Sequence, residues 1–349
     1  MPRRRQRRTP PARTRNQRRR RGSLWRWLGL GALGLAGGLL LKRPPVGRRR
    51  PTPRVPVSVP AEPMFGLPSE VETAWIQGPG GSLRIAEVHR GARSSANRVP
   101  IVFVHGLGGC LEQWSPLLQA LGPAVHGIAF DLPGHGGSDR DPRGDHSLPS
   151  LAAAIGAVLD SLGLRWAVIV AHSVGATAAI ELAGRHPRRV AGLLLVDPTG
   201  DQTRLPAAQR QALRESLQRD PGGDLRWNFR QLLVDASTEV ADHVLESAAN
   251  VADEVVRGIL ESGLNHSPLP ALERYGGVVR SLQSERNDLP WSLHRLRPEI
   301  SHRFLYGASH WLMMDRPQAV WEELVELLDE LRDGGRLGSY SGSGPKFAA

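Results

Sequence analysis

The stretch Trp166-Ala167-Val168-Ile169-Val170-Ala171-His172-Ser173-Val174-Gly175-Ala176 decides the fold. Its first half is an unbroken apolar run rich in β-branched residues, the pattern of a strand buried on both faces. Its second half passes through a serine into a run of small residues with helical character. A hydroxyl held at the tip of a sharp strand-to-helix turn requires small residues two places before and two after it, so that neighbouring backbone can pass closely. Ala171 and Gly175 meet that requirement, and Ser173 is the candidate nucleophile. A serine capping an ordinary helix would share part of this pattern, so the weight of the reading rests on what surrounds it.

Two further segments carry that weight. His105-Gly106-Leu107-Gly108-Gly109 follows the apolar run Ile101–Val104, and its glycines let main chain approach a substrate. In this reading the amides of Leu107 and Val174 form an oxyanion hole, each donor contributing a few kcal/mol, while His105, Gly106 and Gly108 shape the loop. A phosphate-binding turn is the competing reading, but neither G-x-G-x-x-G nor a Walker lysine follows. Near the end of the chain, Tyr306-Gly307-Ala308-Ser309-His310-Trp311 follows the last apolar run and precedes an amphipathic helix. A serine hydroxyl is a poor nucleophile until an imidazole accepts its proton, and His310 is the candidate base.

The remaining pattern is an alternation. VETAWIQ and SLRIAEVH, joined by Gly78-Pro79-Gly80-Gly81, read as a β-hairpin. Strands are then expected at 99–106, 126–131, 166–173, 190–197, 276–282 and 301–307, with helical stretches such as 148–162 and 174–185 between them. Buried strands separated by helices imply parallel crossovers and an α/β architecture. Residues 201–270 break the alternation, with helix-like segments and no good strand.

With these motifs in order, the chain resembles the α/β-hydrolase superfamily in its cap-bearing, serine-nucleophile form, over about residues 70–335. The segment Asp131-Leu132-Pro133-Gly134-His135-Gly136-Gly137-Ser138-Asp139 is similar to the family's D-x-x-G-x-G-x-S element; within it, His135 and Asp139 read as structural. Alanine at position 171 departs mildly from the usual glycine. The resemblance implies a mostly parallel eight-stranded sheet with helices on both faces and a helical cap at about 201–270, inserted after the sixth strand. It also implies a catalytic acid between serine and histidine in chain order. Family members usually carry it after the seventh strand, where this chain has Ser284-Glu285-Arg286-Asn287-Asp288. Asparagine occupies the place where the carboxylate is first expected. Asp288 is the first choice, Asp197 at the end of the sixth strand the second, and Glu285 the third.

Composition sorts the chain into unlike parts. Its 349 residues carry a formal charge of +11, but residues 1–54 hold 18 Lys+Arg and no acid, leaving 27 Lys+Arg against 34 Asp+Glu beyond them. The basic charge is therefore confined to a Pro/Arg-rich arm that cannot bury a core, and specific nucleic-acid binding is not expected of the folded part. The expected divisions are an arm over 1–26, an uncharged apolar signal or membrane anchor over 27–41, a Pro/Arg-rich linker over 42–68, a hydrolase domain over 69–335 and a tail over 336–349. Fifteen apolar residues suit a signal-like core or a short anchor better than a full span. Basic residues on both sides and the lack of a clear cleavage site favour retention, with the domain outside the cytoplasm; a cleaved export signal and a soluble tail are the alternatives. A single cysteine, Cys110, excludes an intramolecular disulfide.

The expected activity is hydrolysis of a carboxylic ester or related small-molecule or lipid acyl substrate through an acyl-enzyme, with no cofactor or metal. Trp227, Trp291 and Trp311, with Phe229, are candidates for an apolar acyl pocket. A serine nucleophile disfavours dehalogenase and epoxide-hydrolase chemistry. Carbon–carbon bond hydrolase, proline-releasing peptidase and perhydrolase share the constellation. A non-catalytic binding protein is the alternative from another class.

Overall fold

A computed structural model of the chain describes residues 65–69, 71–88, 99–122, 125–335 and 337. The basic arm, the apolar segment 27–41, most of the linker and nearly all of the tail lie outside the described residues. Among the described residues, no helix is long and apolar enough to cross a membrane.

Eight strands form one sheet in the order β1-β2-β4-β3-β5-β6-β7-β8. They are β1 (Glu72–Gly78), β2 (Gly81–Val88), β3 (Val99–Val104), β4 (Val125–Phe130), β5 (Ala167–His172), β6 (Val190–Val196), β7 (Val278–Ser284) and β8 (Ser301–Leu305). The first hairpin pairs antiparallel and β2 joins β4 antiparallel; the remaining neighbours are parallel. Every residue of β3, β4 and β5 is buried, as continuous apolar runs require when helices cover both faces. Edge strand β1 alternates exposed and partly buried positions instead.

The helices Leu148–Ser161, Ser173–Arg185 and Leu269–Tyr275 pack together as one layer, and the short helices Ser115–Ala120 and Leu312–Asp315 pack with the final helix Pro317–Asp333 as another. Gly192 in β6 shows how closely the final helix approaches, because a Cβ there would lie 2.8 Å from Leu331. Between β6 and β7, helices Ala207–Leu217, Pro221–Leu232, Thr238–Ala249 and Asp253–Asn265 form the insertion. Local sequence starts them: Asp220 accepts a hydrogen bond from the Gly223 amide with Pro221 in the first turn, and Ser237 accepts one from Val240. Their buried residues recur at helical spacing, as in Val240, Val244 and Ala248.

The Asp131–Asp139 segment ties β4 to its neighbours. The buried Asp131 carboxylate accepts from the amides of Leu111 at 2.7 Å and Gly137 at 2.8 Å and from Arg84 at 3.3 Å. Ser138 bridges the Arg84 amide and the Asp131 carbonyl, and Asp139 accepts from the Ser82 amide.

Candidate active site

Strand β5 ends at His172 in extended conformation, and the chain reverses at Ser173, whose φ of +53° lies in the left-handed region. A non-glycine residue there costs about 1–2 kcal/mol, and packing has to hold it. Gly175 shows why the next turn needs small residues: a Cβ would lie 2.3 Å from the His105 carbonyl oxygen. Gly106 is tight from the other side, since a Cβ there would meet the Ser173 Cβ at 2.9 Å. The Gly106 loop and the serine turn are therefore in direct backbone contact.

The loop is pinned by His105. Its Nε2 accepts from the Leu132 amide at 2.9 Å, so its proton sits on Nδ1 and donates to the Gly106 carbonyl at 2.7 Å. Burial, reinforced by nearby His135, pulls the His105 pKa down to about 3 and keeps the ring neutral. Gly108 adopts φ +73°, and a Cβ there would lie 2.8 Å from Phe229 of the insertion.

Ser173 Oγ donates to His310 Nε2 at 2.9 Å, and His310 Nδ1 donates to Asp197 Oδ2 at 2.6 Å. The two bonds fix the imidazole tautomer: the proton is on Nδ1 and the lone pair faces the serine. Asp197 follows β6, has φ +45° and is fully buried. Its carboxylate also accepts from the Ser284 amide and hydroxyl, both at 2.8 Å, and from the Asn287 side chain at 3.0 Å. An ionised carboxylate only accepts, and these donors satisfy it.

The structure thus corrects the first choice of acid. Asp288 does not meet His310; it is partly exposed and bonded to Arg295 at 2.6 and 2.8 Å and to His294 at 2.9 Å. The Arg295 hydrogen bond leads in lowering its pKa. The exposed Glu285 opens the short turn before it. Asn287, standing where a carboxylate was expected, donates to Asp197 and to the Pro198 carbonyl. The loop after β7 therefore supplies donors to an acid borne by β6.

A narrow cavity of about 60 Å³ opens at Ser173, bordered by Leu107, Val174 and His310 and roofed by Leu225, Asn228, Phe229, Leu232, Ile259 and Leu260 of the insertion. Trp291 and Trp311 line it, and the Phe229 ring meets Trp311 edge-on at 4.8 Å. Trp227 does not line it; this side chain is partly buried against the hydrophobic core. On helix Pro221–Leu232 the cavity-facing positions are 225, 228, 229 and 232, and 227 falls off that face.

Sequence reasoning passed over two supports of His310. The ring of His172 donates from Nε2 to the His310 carbonyl at 3.0 Å, and the His310 amide donates to the Leu232 carbonyl at 3.3 Å. The first had a signal, a histidine beside the nucleophile in the opening motif. The second is a backbone contact between segments 78 residues apart and had none.

Comparison with known proteins agrees with this architecture. A family profile for the alpha/beta hydrolase fold matches residues 99–251. The dihydrolipoyllysine-residue acetyltransferase component of the acetoin cleaving system of Pseudomonas putida is 32% identical over 66% of this chain and 63% of its own length. This chain therefore spans less than two thirds of that relative. The (lyso)-N-acylphosphatidylethanolamine lipase of Mus musculus is 25% identical over 62% of this chain and 66% of its own. Among solved structures, a bacterial membrane phospholipase A superposes with a TM-score of 0.61 over 76% of this chain and 87% of its own, at 21% identity, a likeness of fold. Sheet order, serine turn and sequence matches agree, and the chain has the α/β-hydrolase fold.

Proposed function

We propose that this protein is a serine hydrolase that cleaves a carboxylic ester or related acyl compound through an acyl-enzyme. The observation that carries the reading is the hydrogen-bonded series Ser173–His310–Asp197 opening on a mostly apolar cavity. In this mechanism Ser173 Oγ attacks the substrate carbonyl as its proton passes to His310 Nε2. Asp197 accepts from Nδ1 and stabilises the imidazolium. The amides of Leu107 and Val174, both on the cavity wall, receive the oxyanion. His310 then protonates the leaving group, and water, activated by the same imidazole, releases the acyl product.

The test is labelling of the full chain with a fluorophosphonate, beside S173A, followed by turnover of p-nitrophenyl esters of increasing acyl length. Ser173-dependent labelling with turnover is expected. Absence of both in the wild type overturns the reading.

We also propose that residues 27–41 hold the enzyme at a membrane. The support is their uncharged apolar composition between basic flanks. Deleting residues 1–41 should move the protein from the membrane fraction to the soluble one; unchanged fractionation rejects the anchor.

A further inference from the structure

We propose that His172 is a positioning residue that ties the base to the strand bearing the nucleophile, through the hydrogen bond from its ring to the His310 carbonyl. This rests on the reading of Ser173 and His310 as nucleophile and base. The bond measures 3.0 Å, and the two rings lie 4.6 Å apart. His172 is 2% exposed and ends β5 immediately before Ser173.

Its protonation state is determined by its surroundings. Burial first, and the nearby His310 next, hold its pKa well below the ordinary histidine value, so the ring is neutral and carries one proton. A carbonyl oxygen only accepts, which places that proton on Nε2. The opposite nitrogen, Nδ1, is buried without a partner and faces Gly106, where a Cβ would lie 2.9 Å away. A neutral donor suits this place, because a charged ring would oppose the imidazolium that forms on His310 during acylation.

Two groups hold the His310 peptide. The Leu232 carbonyl takes its amide from the insertion, at 3.3 Å; His172 holds its carbonyl from β5. The first hold depends on where the insertion sits and weakens whenever helix Pro221–Leu232 shifts. The second joins base and nucleophile through adjacent residues and does not depend on the insertion. With the Nε2 to Oγ distance at 2.9 Å, a displacement of about 1 Å is enough to cost about 100-fold in rate.

The test compares full-length wild type, H172L and H172Q. The readouts are the rate of fluorophosphonate labelling at Ser173 and kcat and KM for p-nitrophenyl butyrate, with melting followed by circular dichroism. H172L, which has no donor, should slow labelling and kcat about 10- to 100-fold while KM stays within about twofold. H172Q, whose amide N–H reaches a similar position, should restore most of the loss. Three results overturn the proposal: labelling of H172L at the wild-type rate, a loss in KM alone, or equal losses in H172L and H172Q with both melting as wild type. If H172L does not fold, H172Q against H172N decides it, since the shorter Asn cannot reach the carbonyl and should be the slower; equal rates overturn the proposal. No labelling of the wild type overturns the serine-hydrolase reading itself.

Discussion

The Asp197 carboxylate accepts from His310 Nδ1 at 2.6 Å, although 113 residues separate the two. Asp197 and Ser173 are also the non-glycine residues with positive φ among those described. Both stand just past the ends of adjacent parallel strands, where a left-handed residue turns its side chain across the sheet's edge.

From this pair the first outcome follows. In the proposed mechanism D197N removes the charge that stabilises the imidazolium, and kcat should fall about 10³- to 10⁴-fold. D288N breaks a partly exposed pair with Arg295 and should cost about 0–1 kcal/mol of stability, with kcat within about twofold of wild type. Measured side by side on p-nitrophenyl butyrate, a severe defect in D288N with an active D197N would reverse the assignment.

Gly175→Ala probes the serine turn. The new methyl would press on the His105 carbonyl, which belongs to the backbone and cannot swing away. Overpacking of this kind costs about 1–3 kcal/mol and pushes the Gly106–Leu107 loop from the serine. Melting temperature and fluorophosphonate labelling should fall together. A variant that is stable and fully labelled would show that the loop can shift without consequence.

Phe229→Ala should change which acyl chains fit. Phe229 closes the cavity from the insertion and packs on Trp311. If the cavity of about 60 Å³ takes the acyl group, the wild type should prefer short chains, and removing the ring should raise the ratio of kcat/KM for octanoate over butyrate about tenfold. Stability should drop by about 3 kcal/mol. An unchanged chain-length profile would place the acyl group elsewhere.

Buried histidines should make the fold acid-labile. Burial pulls His105 down to about 3 and His135 to about 4, with His172 also well below its ordinary value. The unfolded chain takes up these protons near pH 6.5, so the stability they represent is present above that pH and is lost on acidification toward 4. Asp131, pushed up to about 6 by burial, acts oppositely: its protonated form persists in the fold from about pH 4 to 6, and its contribution is lost as pH rises. Asp315, also raised by burial, acts with Asp131, while His243 and His294, lowered by burial, act with the other three histidines; the histidines outnumber the carboxyls, and stability should fall between pH 6.5 and 4.5. In urea titrations H135Q should flatten that slope by about 1 kcal/mol per pH unit. A parallel slope in H135Q would remove His135 from the acid response.

Sequence reading ranked Asp197 only second and placed Trp227 at the cavity, for identifiable reasons. Asp197 lies in Leu195-Val196-Asp197-Pro198, a plain strand end, and what singles it out is the convergence of Ser284, Asn287 and His310 on its carboxylate. Those donors come from two other strand ends, and no local pattern registers their arrival. Asn287 was legible as a departure from the family's usual residue, but its role became visible only with its partner. Trp227 was selected by residue type and neighbourhood, whereas the face of a helix that meets a cavity depends on how the helix docks.

The sequence by itself determined the eight strands, the serine turn and the late histidine, because each is written in contiguous residues: apolar runs that must be buried, small residues where backbones cross, a loop after the last strand. Tertiary structure alone decided which carboxylate faces His310, which insertion residues roof the cavity, and that His172 and Leu232 hold the base from two sides. These depend on the ends of β5, β6 and β7 lying side by side and on the docking of the insertion above them, distances that chain order does not encode.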